Sequence, residues 1–522
     1  MIFLLACNKY DKDKFASNAW NPNLAVPLVY SKFTPENILA RTNSDELIVI
    51  QPETGLLALV YSGQALSFNA NEILDLPSRT FTTNFVAQAD LNLPVEVNFT
   101  DSAQTSISRT FNYTFDNNEQ IQEVLLSSGN LEITSSSTLQ HHLNLIISFP
   151  SFTNNGQILS LTIPLEYQNS IPSTNGVSIN LSNYLLDFST ENLGFNEFPI
   201  TFGFEVEGLG SPIVGNENIE VNFEFTQLNF EYAKGYLGQP IVGLDEDSIL
   251  IKLFQNAIDG YFELTNPRLK LNIQNSFGFP VEVDILELKT INVNNGQSFP
   301  LTGFPNPIEV NFPSVMGQVA NTQLIFDKDN TSNIINIITP TPKYLNFAFE
   351  GRANPDGITS TPNFIRKDSK LQIDADIELT LEGFAFGFEF LDTATFSFEE
   401  NIEEIEWLKL RINNNNAFPV NMNAQLYLAD AQRQILDTII PEDNRVLESG
   451  QLNGAGRVIA PTERIIDILI EGNRINNLLN ASYLIIHAEA ETLNGVQEEI
   501  VKIHEDNYLE LRVGMQVQLK ID

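Results

Sequence analysis

The sequence predicts an all-β protein built from tandem antiparallel sandwich modules, each with at most one short helix, behind a distinct β-rich N-terminal head. Three observations carry this expectation. Leu371, Ile373, Ala375, Ile377, Leu379 and Leu381 alternate with Gln, Asp, Asp, Glu and Thr, the period of two that puts one face of a strand in a core and the other in water. Turn signals such as Asn294-Asn295-Gly296 separate runs of this kind and supply the positive φ angles of hairpins. The alternating runs also recur along the chain at a near-constant spacing.

That spacing sets the organisation. Leu269-Lys270-Leu271-Asn272-Ile273 and Phe279-Pro280-Val281-Glu282-Val283 are matched by Leu408-Lys409-Leu410-Arg411-Ile412 and Phe418-Pro419-Val420-Asn421-Met422, an offset of 139 (408 − 269). Tyr344-Leu345 pairs with Tyr483-Leu484 at the same offset, and the run from Asp368 to Leu381 aligns with that from Asp506 to Leu519 at 138 (506 − 368). A fainter copy precedes them: Leu131-Glu132-Ile133 lies 138 residues before Leu269-Lys270-Leu271, and Asn154-Asn155-Gly156-Gln157 returns as Asn294-Asn295-Gly296-Gln297 at 140 (294 − 154). The expected units are a tether at 1–19, a head at 20–118, and modules at 119–250, 251–390 and 391–522. The last two modules each carry one predicted helix, Thr331 to Ile338 and Thr462 to Leu479, the second with a break at Gly472. Thr462, between Pro461 and Glu463, reads as a helix cap. A strand beginning at Tyr344 or Tyr483 follows each helix, giving sandwiches of about seven strands closed by a helix.

Composition excludes several classes. The formal charge is 28 − 66 = −38, the opposite of a nucleic-acid footprint. One cysteine in 522 residues rules out a disulfide scaffold and a cysteine-ligated metal site. The 59 asparagines outnumber the 28 Lys+Arg by about two to one, so amides and carboxylates solvate the polar faces. No run approaches the roughly 18 apolar residues of a spanning helix.

The first residues carry an address. Met1-Ile2-Phe3 leads into Leu4-Leu5-Ala6-Cys7, and Cys7 is the single cysteine. This resembles the lipobox of bacterial lipoproteins, which implies diacylglycerol attachment at Cys7. The charged region and longer apolar core of a full signal are missing before Leu4, so either the true start lies upstream or the resemblance is accidental. Asn8-Lys9-Tyr10-Asp11-Lys12-Asp13-Lys14 follows as a solvated tether. Lys9 with Asp11 and Asp13 is similar to the charged signal that directs lipoproteins of the Bacteroidota to the cell surface, and Asn8 fits an outer-membrane destination. The head, from Trp20-Asn21-Pro22 through Ala25-Val26-Pro27-Leu28 and Gly55-Leu56-Leu57-Ala58-Leu59-Val60-Tyr61 to Leu76-Pro77, resembles the start of large outer-membrane and surface lipoproteins of the Bacteroidota. The closing Tyr508-Leu509-Glu510-Leu511-Arg512-Val513-Gly514 resembles their end. Asn266-Pro267-Arg268-Leu269-Lys270-Leu271-Asn272-Ile273-Gln274-Asn275 with Phe279-Pro280-Val281-Glu282-Val283 is similar to the Ig-like sandwich of the late-embryogenesis-abundant and water-stress family. This implies Ig-like modules. In the third module Ile405-Glu406 stands where Asn266-Pro267 would be.

No catalytic or cofactor constellation is predicted. His141 and His142 are adjacent and so point to opposite faces of a strand, while His487 and His504 fall on separate strands. Asp245-Glu246-Asp247, Asp327-Lys328-Asp329-Asn330 and Asp374-Ala375-Asp376 lack the glycine and distal glutamate of a calcium loop, which leaves a weak calcium site as the one cofactor expectation. Gly383-Phe384-Ala385-Phe386-Gly387-Phe388 has no following Lys and is apolar alternation. Phenylalanine, at 37 against 2 Trp and 13 Tyr, suits cores more than sugar platforms; Trp20 and Trp407 are the platform candidates. The expectation is a non-catalytic, lipid-anchored outer-membrane protein facing outward, contacting other envelope proteins as a subunit of an assembly, secretion or uptake complex. The alternatives are an adhesin or glycan binder, assisted by calcium, and a hydrolase using a carboxylate pair.

Overall fold

The computed structural model describes residues 23–35, 46–52, 54–189, 194–243, 246–251, 257–292, 295–331, 333–339, 342–359, 363–396, 405–440 and 445–519. It is nearly all β, in antiparallel sheets. The helices within these residues are short: Ala70–Ile73, Ile334–Ile338 and Asn473–Asn480.

A first sandwich is made by one ten-stranded sheet folded over itself. Asn218–Tyr236 pairs along its length with Gln120–Ser137, and the ladder shifts register between Thr226 and Phe230. There Gln227 takes φ 53 and Gly129 φ 157, and a Cβ on Gly129 would lie 2.5 Å from the Leu228 side chain. Such a bulge bends both strands. Phenylalanines fill the resulting layer. Phe85 meets Phe202 at 4.9 Å, Phe111 meets Phe223 at 4.9 Å, and Phe152 meets Phe198 at 5.2 Å. Their offset and edge-on packing adds to the stabilisation from burial, about 1.5–3 kcal/mol for each fully buried side chain. The hairpin turn Asn155-Gly156 has φ 50 and 78, the left-handed pair that joins Asn154 to Gln157.

The second and third sandwiches share one strand order. In the second, one sheet runs Glu46–Ile50, Leu57–Asn69, Lys370–Thr380, Pro267–Asn275, Ala320–Phe326. In the third, the corresponding sheet runs Asn23–Phe33, Leu509–Leu519, Ile405–Asn416, Thr462–Glu471. The facing sheets also match: Val281 pairs with Ala353 and Val420 with Thr492, both at the 139 offset (420 − 281 and 492 − 353). One strand sits differently from the sequence alignment. Ser276 N–H donates to the Lys370 carbonyl as Ala417 N–H does to that of Tyr508, so Asn275 corresponds to Asn416, an offset of 141 (416 − 275). Both asparagines are fully buried and accept a hydrogen bond from the N–H two residues on, Phe277 and Phe418 respectively, at 2.9 Å.

The described strands between Asn23 and Asn112 are distributed among all three sandwiches. Asn23–Phe33 pairs with Leu509–Leu519, and Leu57–Asn69 with Lys370–Thr380. Arg79–Val86 and Ser102–Asn112 enter the first sandwich. The helix expected over Thr462 to Leu479 is a strand to Glu471, then a helix from Asn473. Ile466, Ile468 and Ile470 are buried while Ile465 and Leu469 are exposed, a period of two that β-branched side chains favour. Thr462 Oγ1 donates to the Ser449 carbonyl and caps nothing. Gly472, at φ 58, makes the turn that separates the two elements. The helix expected over Thr331 to Ile338 begins at Ile334.

Removing a central ring of the first sandwich tests this packing. Phe198→Ala should lower stability by about 3–5 kcal/mol, read as earlier urea unfolding with exchange rising in residues 79–236 and little change in the third sandwich.

Candidate functional site

Cys7 and Trp20 lie outside the described residues. The histidines are far apart in role. His141 is buried against Phe99, ring centroids 5.3 Å apart, and its Nδ1 accepts the Leu209 N–H. Its neighbour His142 faces the other way, its Nδ1 accepting the Tyr167 N–H at 3.2 Å. His487 Nε2 lies 3.7 Å from Glu389. His504 is on no strand; it forms an isolated bridge to Leu56, and its N–H donates to Asn507 Oδ1. A bridge outside any ladder leaves no alternation for sequence to read.

The candidate calcium residues have partners of their own. Glu246 accepts from Asn346 Nδ2 at 2.7 Å and faces Lys289, which together hold its carboxyl below the usual range. Asp327 Oδ1 accepts the Asp329 N–H and Asn330 Oδ1 accepts the Asp327 N–H, a self-closed turn. Asp376 accepts from Ser62 and Asn272, and Asp374 from Gln372. Asp245 lies outside the described residues. No three His, Cys, Asp or Glu converge as a metal set among the described residues.

Charged groups instead form cross-strand ladders. Arg411 grips Asp467 through two 2.7 Å hydrogen bonds, and Lys409 reaches the same carboxylate at 2.8 Å. Arg411 first and Lys409 second hold the Asp467 carboxyl far below the carboxylate range. Two shallow polar depressions are open to solvent. One, of about 150 Å³, lies among Asn413, Asn415, Glu463, Glu510 and Arg512; the other, of about 450 Å³, among Asp116, Asn117, Asn118, Gln120, Tyr236 and Gln239. In the first, Asn413 Nδ2 already donates to Glu463 at 2.8 Å. Trp407 is half-buried, paired across to Glu471 and Gln518.

A further exposed feature is apolar. Leu24, Val26, Leu28, Val29 and Tyr30 are 49%, 39%, 47%, 48% and 64% exposed, all on Asn23–Phe33, which lies at the end of its sheet. Sequence reasoning missed it because Leu24 and Val26 alternate as a buried strand would.

No family model and no curated protein sequence matches the chain. Among solved structures, a protein described as secreted, from Parabacteroides distasonis, is 14% identical, covering 53% of this chain and 82% of that one with a TM-score of 0.28. A protein of Desmodium yellow mottle tymovirus is 11% identical, covering 30% and 91%, with a TM-score of 0.14. Overlaps this partial carry no argument.

With no relative to lend a site, the chain's own titrating groups carry the test. Burial pushes the His141 imidazole below its ordinary value, and burial followed by Arg457 does so for His504. The folded chain then binds fewer protons than the unfolded one below about pH 6.5, so stability falls as pH drops through that window. Melting should be lower at pH 5.5 than at pH 7.5, and the drop should shrink in a His141→Gln/His504→Gln chain; an unchanged drop contradicts the assignment.

Proposed function

We propose that this chain is a non-catalytic, lipid-anchored outer-membrane protein, facing the cell exterior, that serves as an interaction subunit of an envelope complex for protein assembly, secretion or uptake. The observation that carries the reading is the exposed apolar strand Asn23–Phe33, which begins 16 residues (23 − 7) after Cys7. Exposed apolar side chains gathered on one strand of a folded body suit an interaction surface, and these follow the tether in sequence. Supporting it, the charged side chains described above engage one another across strands.

Attachment in this reading comes from the acylated Cys7, each buried methylene contributing about 0.8 kcal/mol. No helix among the described residues is long and apolar enough to cross a membrane.

Expressed from its native start in its native envelope, a Cys7→Ser chain should move from the membrane to the soluble fraction. The unmodified chain should leave mild detergent in stoichiometric company with an integral envelope protein. Persistent membrane attachment of the Cys7→Ser chain contradicts the anchor, and a chain that always runs alone contradicts the subunit reading.

A further inference from the structure

The run Gly383-Phe384-Ala385-Phe386-Gly387-Phe388 lies on Glu382–Thr395, which pairs with Ala257–Leu264. Unbroken alternation would put its three phenylalanines on one face. The ladder instead shifts register between Asp259 and Tyr261, with Gly260 at φ 136 and Gly387 at φ 62, angles that glycine takes freely. Such a bulge re-aims the side chains next to it. Phe388 turns inward, against Phe262 and the large apolar core. Phe384 and Phe386 take the opposite face, where Tyr261 stacks on Phe386 at 5.1 Å and on Phe384 at 5.8 Å, with interplanar angles of 19° and 20°. None of these three rings is part of the apolar cores formed by the described residues, and Tyr261 is 38% exposed.

Two carboxylates flank the stack. Glu263 is directly opposite Phe384 and so shares the face of Tyr261. Its Oε2 accepts the Tyr261 hydroxyl at 3.1 Å, and its Oε1 has no hydrogen-bond partner among the described residues. Glu498 comes from the loop after Thr492. Gly495 seats that loop on the same strand, so closely that a Cβ there would lie 2.3 Å from the Ala385 carbonyl oxygen, and Thr492 Oγ1 accepts the Ala385 N–H at 3.1 Å. Burial first, then Glu263 and Glu498, push the Tyr261 hydroxyl above its ordinary pKa, which places both carboxylates within electrostatic reach of the ring. Other tyrosines carry a cation of the chain itself: Arg512 lies 5.5 Å from the Tyr30 ring, Arg433 5.6 Å from Tyr483 and Lys32 4.1 Å from Tyr508. Among the described residues no cation lies over Tyr261, and none pairs with Glu263 or Glu498. Lys502, on the adjoining Val501–Lys502, is held by Glu382 at 3.1 Å.

We propose that Tyr261, Glu263 and Glu498 bind a guanidinium group, presented as an arginine side chain on a segment of another protein. An aromatic face beside carboxylates that lack a counter-ion is the complement of an organic cation. A guanidinium is flat, so it stacks on the exposed part of the Tyr261 ring while its fork of N–H donors reaches a carboxylate. An ammonium makes the charge contact without the stack. Two features favour a segment over a free cation. Val496 and Ile500, two residues to either side of Glu498, are 62% and 46% exposed and offer apolar contact to the chain that carries the arginine. The body's formal charge of −38 draws a cationic segment in. This site stands whether or not Asn23–Phe33 is an interaction surface.

The probe is a labelled synthetic peptide carrying two arginines between Gly-Ser spacers, titrated into the full chain and followed by fluorescence anisotropy. Saturable binding is expected. Tyr261→Ala and Glu263→Gln/Glu498→Gln should each weaken it by about tenfold or more, whereas Tyr261→Phe, which keeps the ring, should stay within about threefold of the parent. Glu498 is exposed, so Glu498→Gln alone should leave the melting temperature unchanged and still weaken binding, which keeps the test decisive if Tyr261→Ala fails to fold. No saturable binding, or equal binding by the folded variants, overturns the proposal, because the acidic body would then be attracting the peptide as a whole. Equal affinity for the same peptide with lysines overturns the guanidinium assignment, and equal affinity for N-acetylarginine amide overturns the segment.

Discussion

The structure depends on backbone pairing between the chain's first strands and the last strands of its sandwiches. Asn23–Phe33 lies against Leu509–Leu519, and Leu57–Asn69 against Lys370–Thr380. Until these ladders form, the final strand of each unit has one unpaired side, and a buried strand with unpaired N–H and C=O groups is costly. The second sandwich pairs both sides of its N-terminal strand and buries it. The third, among the described residues, pairs one side, and Leu24, Leu28, Val29 and Tyr30 are exposed. This asymmetry sets Asn23–Phe33 apart from the polar ladders around it.

The ladders tie the chain's few cations to particular carboxylates. Arg411 and Lys409 converge on Asp467, Lys234 meets Glu123 at 2.9 Å, and Arg352 reaches Asp284 at 3.1 Å. Pairs this exposed contribute little to stability, typically about 0–1 kcal/mol each. Their effect is to fix the few cations to particular carboxylates across neighbouring strands. Stability comes from the layers beneath, above all the phenylalanine layer of the first sandwich.

Much of the strand content was legible because alternation is a direct consequence of the pleat: Leu371, Ile373, Ala375, Ile377 and Leu379 are buried as their pattern implied, although Glu378 and Thr380 on the opposite face are buried as well. Three things were not. The same alternation is unchanged by a slip of two residues, so the match of Leu269 with Leu408 kept every face while missing the pairing that aligns Asn275 with Asn416. At Thr462 the proline, threonine and glutamate imitate a helix start, and tertiary burial of Ile466, Ile468 and Ile470 prevails. Which sheet a strand joins is a long-range choice that no local pattern records, so the division of Asn23–Phe33, Leu57–Asn69 and Arg79–Val86 among three sandwiches had no sequence signal. The exposed strand was hidden for the same reason, since Leu24 and Val26 read identically whether a neighbour covers them or not.

The most direct measurement is amide hydrogen exchange of the free chain, comparing the corresponding strands Leu57–Asn69 and Asn23–Phe33. Pairing on both sides protects the first, so its amides should exchange near the rate of the core. Among the described residues the second is paired on one side, so its outward amides from Leu24 to Tyr30 should exchange far faster. Equal protection of the two strands would show that the edge is already covered, contradicting the account.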